Sequence, residues 1–331
     1  MFRGSSPVSI LEAQVSELLT FQPRLREGEE PAIHDARVAT RRIRAALPLV
    51  RPQFTSNEFD DVSRIVRKTG RALGEVRDYD IMHRLLTELA NRLPVAAATT
   101  APVRSDVQHD RVRAVRRLIK VLDRMDLGSL RERIGRRGFG GRLRSRGAPP
   151  RWRASLRAIV AWHAADLRTA LDRSGGVYFP NRSHSVRLAA KKLRYAMEMA
   201  DTTGLWRVPS ALRHLKRAQD ALGAVHDRQL LIDRLTRTGE SPAASQELAT
   251  LRRLLEAEIE ERHQKYVALR HQLVAICDAA RRTPSGSYAR AWLAAGVVVP
   301  SLVILSRRSD SADHLEVSPC ESDVRIRVLM P

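Results

Sequence analysis

Two eleven-residue stretches of the sequence carry the same basic side chains at the same spacing. The first, HDARVATRRIR, begins at His34, and the second, HSVRLAAKKLR, begins at His184. In each stretch the histidine is followed by a cation at positions +3, +7, +8 and +10. Arginine binds phosphate oxygens through charge-assisted hydrogen bonds, and imidazole can donate to the same oxygens. This combination predicts a binding site for a polyanion.

Helical geometry would place most of these cations on one side of a helix. An α-helix turns about 100° per residue, so positions 0, +3, +7 and +10 fall within an arc of roughly 80°. Like charges four residues apart destabilise a helix by roughly a few tenths of a kcal/mol per pair, and a bound polyanion would remove that repulsion. We call His34, Arg37, Arg41 and Arg44 the first cationic stripe, and His184, Arg187, Lys191 and Arg194 the second cationic stripe.

A second pair of segments indicates that the chain contains an internal duplication. RKTGRALGEVRDYD (67–80) and KRAQDALGAVHDRQ (216–229) align at nearly the same separation as the two histidine stretches. A shared glycine in these segments would leave space for a helix or ligand to approach. A shared aspartate would orient a histidine or an arginine, or cap the following helix. The glycines are Gly74 and Gly223, and the aspartates are Asp78 and Asp227.

Apolar residues recur at helical spacing in the segments that must position these groups, and this pattern predicts an all-α fold. No strand-like alternation occurs before residue 297. Ser9 and Glu12 have the spacing of a capping box at the start of the first helix. Besides the histidine stretch that begins at residue 34, the predicted helices span 8–20, 58–75, 78–92, 103–125, 151–173, 184–200, 209–223, 227–237 and 243–280.

The composition and net charge of the chain indicate what kind of protein it is and what kind of partner it binds. The hydrophobic fraction of 43% is that of a globular chain, and the net charge of +21 predicts an anionic partner. The two cysteines, Cys277 and Cys320, argue against a disulfide framework, and no signal-peptide-like run precedes the first helix, so a cytoplasmic location is expected. The apolar run 291–305 is too short for a clear membrane span.

Four motifs together resemble one family. HDARVATRRIRAAL and HSVRLAAKKLRYAMEM resemble the two histidine-containing helices of the CHAD family, named for a conserved-histidine α-helical domain, and LGEVRDYD and LGAVHDRQ resemble its Leu-Gly…Asp segments. The resemblance covers residues 5–282, with halves at about 5–127 and 151–282 joined by a Gly/Arg-rich linker, 128–150. Residues 283–331 form a C-terminal extension outside the resemblance.

The resemblance implies two pseudo-twofold-related antiparallel helical bundles that form a basic central channel for inorganic polyphosphate. One departure is Asp220, which occupies the position of Arg71 in the other half, so the two halves need not contribute equally. The implied binding residues are His34, Arg37, Arg41, Arg42, Arg44, His184, Arg187, Lys191, Lys192 and Arg194, with Arg67, Lys68, Lys216 and Arg217 as secondary candidates.

On this basis we expect a non-catalytic polyphosphate-binding protein, without metal or cofactor, at cytoplasmic polyphosphate granules. Nucleic acid remains an alternative partner, since RRGFGGRLRSRG (136–147) is similar to an RNA-binding arm, although aromatic residues make up only 5% of the chain. A metal-dependent phosphohydrolase is a further alternative, because His-Asp pairs occur at residues 34–35, 109–110 and 226–227. The surrounding arginines would repel a divalent cation and argue against it.

Overall fold

The computed structural model describes residues 6–93, 96–124, 151–237 and 242–282, together with residues 128, 131, 132 and 134. These residues form α-helices and one 3-10 turn, Arg51–Gln53, and within them no β-strand occurs, which confirms the all-α prediction. The helices are α1 (Pro7–Arg26), α2 (Glu30–Val50), α3 (Ser56–Arg92), α4 (Ala96–Asp123), α5 (Arg151–Ser174), α6 (Pro180–Thr202), α7 (Pro209–Thr236), α8 (Pro242–Val267) and α9 (Arg270–Arg282).

Two of these helices are continuous where the sequence pattern predicted a break. α3 runs through the predicted gap at 76–77, and α7 runs through the gap at 224–226. A glycine inside a helix costs only about 1 kcal/mol relative to alanine, and burial of neighbours such as Leu73 and Val76 offsets that cost. Asp78 and Asp227 therefore lie in the middle of helices, and the prediction that they cap helices is wrong.

Other helix ends differ from the sequence prediction for local reasons. α1 begins at Pro7, and the hydroxyl of Ser6 accepts a hydrogen bond from the Ser9 amide at 3.2 Å, so the proposed Ser9–Glu12 capping box is wrong. α6 begins four residues early because proline suits the first position of a helix. The predicted helix 243–280 is divided where the Leu269 amide donates to the Tyr266 carbonyl, three residues back.

Sequential helices pack as antiparallel neighbours in both halves. In the first half α1 packs on α2, α2 on α3, and α3 on α4; in the second half α5, α6, α7 and α8 repeat that order. Between the halves α2 contacts α6, α3 contacts α7, and α4 contacts α8. Each of these helices thus meets its own counterpart, which is the arrangement that a pseudo-twofold relation requires.

The hydrophobic core lies on the side of α2 and α6 opposite to the cations. Ile43 of α2 and Leu193 of α6 are fully buried in the main apolar cluster. A second cluster, which includes Leu86 of α3 and Leu231 of α7, lies among α3, α4, α7 and α8. Burial of a side chain of this size stabilises the fold by about 1.5–3 kcal/mol. The core thereby fixes which face of α2 and α6 carries the stripes.

Several sequence predictions concern parts of the chain outside the described residues. These are the linker 128–150, apart from residues 128, 131, 132 and 134, and the extension 283–331 with its apolar run. In the helices that the structure does describe, none is both long enough and apolar enough to cross a membrane.

Candidate polyanion-binding site

The two cationic stripes meet where α2 contacts α6. The Arg41 guanidinium carbon lies 5.3 Å from the centre of the Tyr195 ring on α6. The Arg194 guanidinium carbon lies 4.7 Å from the centre of the same ring. One residue of each stripe therefore shares a single aromatic ring, although their positions are far apart in the sequence. We call the surface lined by the two stripes and the adjoining parts of α3 and α7 the basic channel.

In the basic channel, cations of one half shift the pKa values of cations in the other half. Burial, together with the charges of Arg37, Arg41 and Arg187, lowers the pKa of Lys191 to about 7. Burial also lowers the pKa of the Arg187 guanidinium, with a smaller contribution from the charge of Arg37. The central cations of the two stripes are therefore close enough to repel one another.

Three buried polar atoms at this contact have no hydrogen-bond partner among the described residues. They are Nε of Arg41, Nε of Arg187 and the hydroxyl of Tyr195. Buried donors are nearly always satisfied in folded proteins, and each unsatisfied group costs about 1–3 kcal/mol. Oxygen atoms of a bound anion would supply the acceptors that these groups lack.

Some candidate binding residues are already engaged with protein groups. Arg194 forms an ion pair with Glu198 and also donates to Gln219 at 2.8 Å. Lys192 lies 3.3 Å from a carboxylate oxygen of Asp166 on α5. The remaining polar contacts of the candidates are Arg42 to Gln14 at 3.5 Å, Arg67 to the Ser63 carbonyl at 3.2 Å, and Lys216 to Asp220 at 2.9 Å.

Five candidate cations of the two stripes form no ion pair with any described residue. They lie on both helices, and the central ones are half-buried, while Arg44 is exposed. Burial lowers the pKa of Arg44, as does the charge of Arg67 on α3. The five are Arg37, Arg41, Arg44, Arg187 and Lys191.

Two carboxylates from equivalent positions of the repeat lie among these cations. Burial raises the pKa of Asp78, while the charges of Arg37 and Arg187 lower it. The pKa of Asp227 is raised to about 6, mainly by burial and in part by the charge of Asp78, against the opposing charge of Arg187. The charges of Asp78 and Asp227 therefore partly neutralise the central arginines. The orienting role that the sequence suggested for these aspartates stays a prediction.

The two histidines that begin the stripes have different surroundings. The ring of His184 lies 5.3 Å from that of His226 on α7, and burial lowers the pKa of both, that of His226 to about 4. His34 on α2 and His184 on α6 are both exposed. In the first half the position of His226 is occupied by Arg77, which pairs with Glu30 at 2.6 Å. Among the described residues, only the second half therefore places two neighbouring histidine rings in the channel.

The sequence pattern did not assign His226 or Tyr195 to the site. His226 precedes Asp227 in the segment LGAVHDRQ, and its counterpart in the other half is an arginine, so the repeat alone did not select it. Tyr195 directly follows the second stripe and is the single aromatic residue next to either of them. His226 belongs to the channel because α6 and α7 pack together, and Tyr195 because α2 contacts α6.

Comparison with models of known protein families shows which family this chain belongs to. The model of the CHAD domain matches residues 9–236, which include both stripes and all of α2 to α7. The chain belongs to the CHAD domain family. The match confirms the resemblance that the histidine stretches and the Leu-Gly…Asp segments indicated.

Solved structures share the fold of this CHAD domain. PptA from Streptomyces chartreusis superposes with a TM-score of 0.60 at 18% sequence identity, covering 80% of this chain and 97% of that chain. The CHAD domain from the plant Ricinus communis superposes with a TM-score of 0.50 at 20% identity, covering 86% and 95% respectively. At such identities the likeness establishes the fold alone. No curated protein sequence matches the chain.

The secondary candidates of the CHAD domain divide between its two halves. Arg67 and Lys68 are exposed on α3, and Arg67 lies near Arg44 of the first stripe. Arg217 is also exposed, whereas Lys216 pairs with Asp220. The acidic residue at the position of Arg71 thus neutralises one of the two secondary cations on α7.

A surface pocket of the CHAD domain lies between α4 and α7, away from the stripes. Its lining includes His109, Asp110, Arg113 and Arg234, and Asp110 forms ion pairs with both of these arginines. Asp110 thus belongs to an ion-pair network. Within the described parts of the chain, no three histidine, cysteine or acidic side chains come together as a metal site would require.

Proposed function

We propose that this CHAD domain binds inorganic polyphosphate in the basic channel and does not catalyse a reaction on it. The observation that carries the proposal is the meeting of two cationic stripes whose five unpaired cations include two with unsatisfied buried Nε atoms. Polyphosphate is an unbranched chain with a negative charge on every phosphate. It would supply both the missing charge and the missing hydrogen-bond acceptors.

Relief of repulsion supports the same proposal. Arg37, Arg187 and Lys191 lie close together without a carboxylate partner of their own, apart from the shared field of Asp78 and Asp227. An anion placed between them would convert mutual repulsion into attraction. Binding would release counterions from the polyanion, so the affinity would fall steeply with salt.

Nucleic acid is the alternative ligand, and one observation disfavours it. Proteins that bind single strands stack bases on exposed aromatic faces. Tyr195, the aromatic residue next to the stripes, has the guanidinium groups of Arg41 and Arg194 over its ring. A base would have to displace these cations in order to stack there, whereas a phosphate chain would use them.

A titration of the full chain with polyphosphate at several salt concentrations tests the proposal. We expect saturable binding. The logarithm of the association constant should fall linearly with the logarithm of the salt concentration. Single-stranded RNA and DNA, added at equal charge concentration, should displace little polyphosphate. Displacement by either nucleic acid at equal charge would refute the preference for polyphosphate and favour the alternative.

The absence of catalysis needs its own measurement. Polyphosphate incubated with the chain and Mg²⁺ or Mn²⁺ is expected to keep its chain-length distribution on a gel. Shortening that follows protein concentration, and that is lost when Arg41 and Arg187 are both replaced by Ala, would show a hydrolase.

Location at polyphosphate granules is the cellular part of the proposal. A fluorescent fusion of the chain should coincide with granules stained for polyphosphate. A fusion with Arg41→Ala and Arg187→Ala should lose that pattern, whereas one with Arg252→Ala, which removes an exposed arginine on α8, should keep it. Granule location of the channel variant would refute targeting through the channel.

A further inference from the structure

We propose that Gly74 is a positioning residue whose missing side chain creates the seat for the guanidinium group of Arg37. This inference rests on the proposed function, because it concerns how one cation of the channel is presented to polyphosphate. A Cβ atom added at Gly74 would lie 2.5 Å from Nη1 of Arg37 and 3.7 Å from its Cζ. Real Cβ atoms do not approach a heavy atom as closely as 2.5 Å, so a side chain at position 74 would displace the guanidinium of Arg37, the flexible end of that side chain, from this place.

Backbone conformation does not explain the glycine. Gly74 lies inside the continuous helix α3, and the described glycines with positive φ are Gly28, Gly175 and Gly204. Glycine inside a helix is less stable than alanine by about 0.5–1 kcal/mol. What an added Cβ atom at this position would meet is the guanidinium of Arg37.

The space beside Gly74 accommodates the Arg37 guanidinium group without neutralising its charge. Arg37 makes no ion pair with a described residue, and α3 supports its guanidinium through packing against the Gly74 backbone. The charge held there lowers the pKa of Lys191 and of Arg187 on the other half. Gly74 thus keeps a full positive charge where the two halves meet.

The equivalent glycine of the second half provides a matched control. A Cβ atom added at Gly223 would meet no heavy atom within 4 Å. Arg187, the counterpart of Arg37, therefore does not lie against α7 in the same way. A methyl group at 223 adds the same atoms to the equivalent helix without displacing a cation.

The test is a double-mutant cycle in the full chain, with polyphosphate titrations of Gly74→Ala, Arg37→Ala and the double variant. Loss of one charged contact should weaken binding by about fivefold and lower the salt slope by about one unit. We expect Gly74→Ala to weaken binding, by no more than Arg37→Ala does, the double variant to bind like Arg37→Ala, and Gly223→Ala to stay within about twofold of the unmodified chain. Additive losses, or unmodified binding by Gly74→Ala beside weakened binding by Arg37→Ala, would overturn the inference.

A second measurement separates this inference from the proposed function. In the protein without polyphosphate, NMR titration of the Lys191 ammonium group reports the charge of Arg37 directly. Both Gly74→Ala and Arg37→Ala should raise the Lys191 pKa, and Gly223→Ala should not. An unchanged pKa in Gly74→Ala would overturn the seat. A raised pKa with unchanged polyphosphate affinity would uphold the seat and refute the role of Arg37 in binding.

Discussion

At the scale of single residues, the basic channel is unusual because its charges are held close together without full compensation. Lys191 has a pKa of about 7 because it is buried beside Arg37, Arg41 and Arg187, with Asp78 as the opposing charge. His226 has a pKa of about 4 and is neutral at pH 7. A polyanion would favour the charged forms, so binding and protonation must be linked.

The first prediction concerns pH. Lys191 in the free protein gains its proton as the pH falls through about 7, and the ammonium form attracts polyphosphate. Affinity should therefore rise by about tenfold between pH 8.5 and pH 6 at constant ionic strength. Lys191→Arg, which keeps its charge over this range, should abolish most of that rise, as measured by calorimetric titration. An equal pH dependence in both proteins would contradict the assignment to Lys191.

The second prediction concerns the Tyr195 hydroxyl, which is buried without a partner among the described residues. Tyr195→Phe removes the unsatisfied group and keeps the ring, so the free energy of unfolding should rise by about 1 kcal/mol in urea denaturation. Polyphosphate affinity should fall at the same time, because the hydroxyl is a donor for phosphate. A loss of stability would mean that the hydroxyl is hydrogen-bonded in solution.

At the scale of elements, α2 and α6 have an apolar side in the core and a cationic side in the channel, and α3 and α7 complete the channel walls. The helical spacing of the stripes predicted the first pair correctly. The breaks predicted in α3 and α7 were wrong because local propensity disfavours Gly74 and Gly223 by only about 1 kcal/mol each, which packing readily outweighs.

The third prediction concerns the stability of α7. Since an added methyl group at Gly223 meets nothing within 4 Å, Gly223→Ala should raise the free energy of unfolding by about 0.5–1 kcal/mol. Chemical denaturation followed by circular dichroism measures this change. Destabilisation would indicate that the helix needs glycine there for a reason other than space.

At the scale of the whole molecule, the halves pack with α2 on α6, α3 on α7 and α4 on α8, so the channel is formed by both halves together. The net charge of +21 makes the folded state repel itself, and a polyanion in the channel would stabilise it by binding the folded form.

The fourth prediction combines these effects. Replacement of Arg37, Arg41, Arg187 and Lys191 by Ala should weaken polyphosphate binding and flatten its salt dependence, while the helical circular dichroism signal is retained. Polyphosphate should raise the melting temperature of the unmodified chain, more at low salt, and should leave that of the variant nearly unchanged. Loss of the helical signal in the variant would show that these residues serve the fold instead.

The sequence by itself determined the helical class, the duplication and the two cationic stripes, because each depends on periodicity or spacing along the chain. Only the tertiary structure decided which cations are free. Lys192 is paired with Asp166 of α5, and Arg41 of α2 shares the ring of Tyr195 with Arg194. Contacts between α2 and α6, or between α5 and α6, join residues that the sequence separates, so the spacing within one helix carries no information about them.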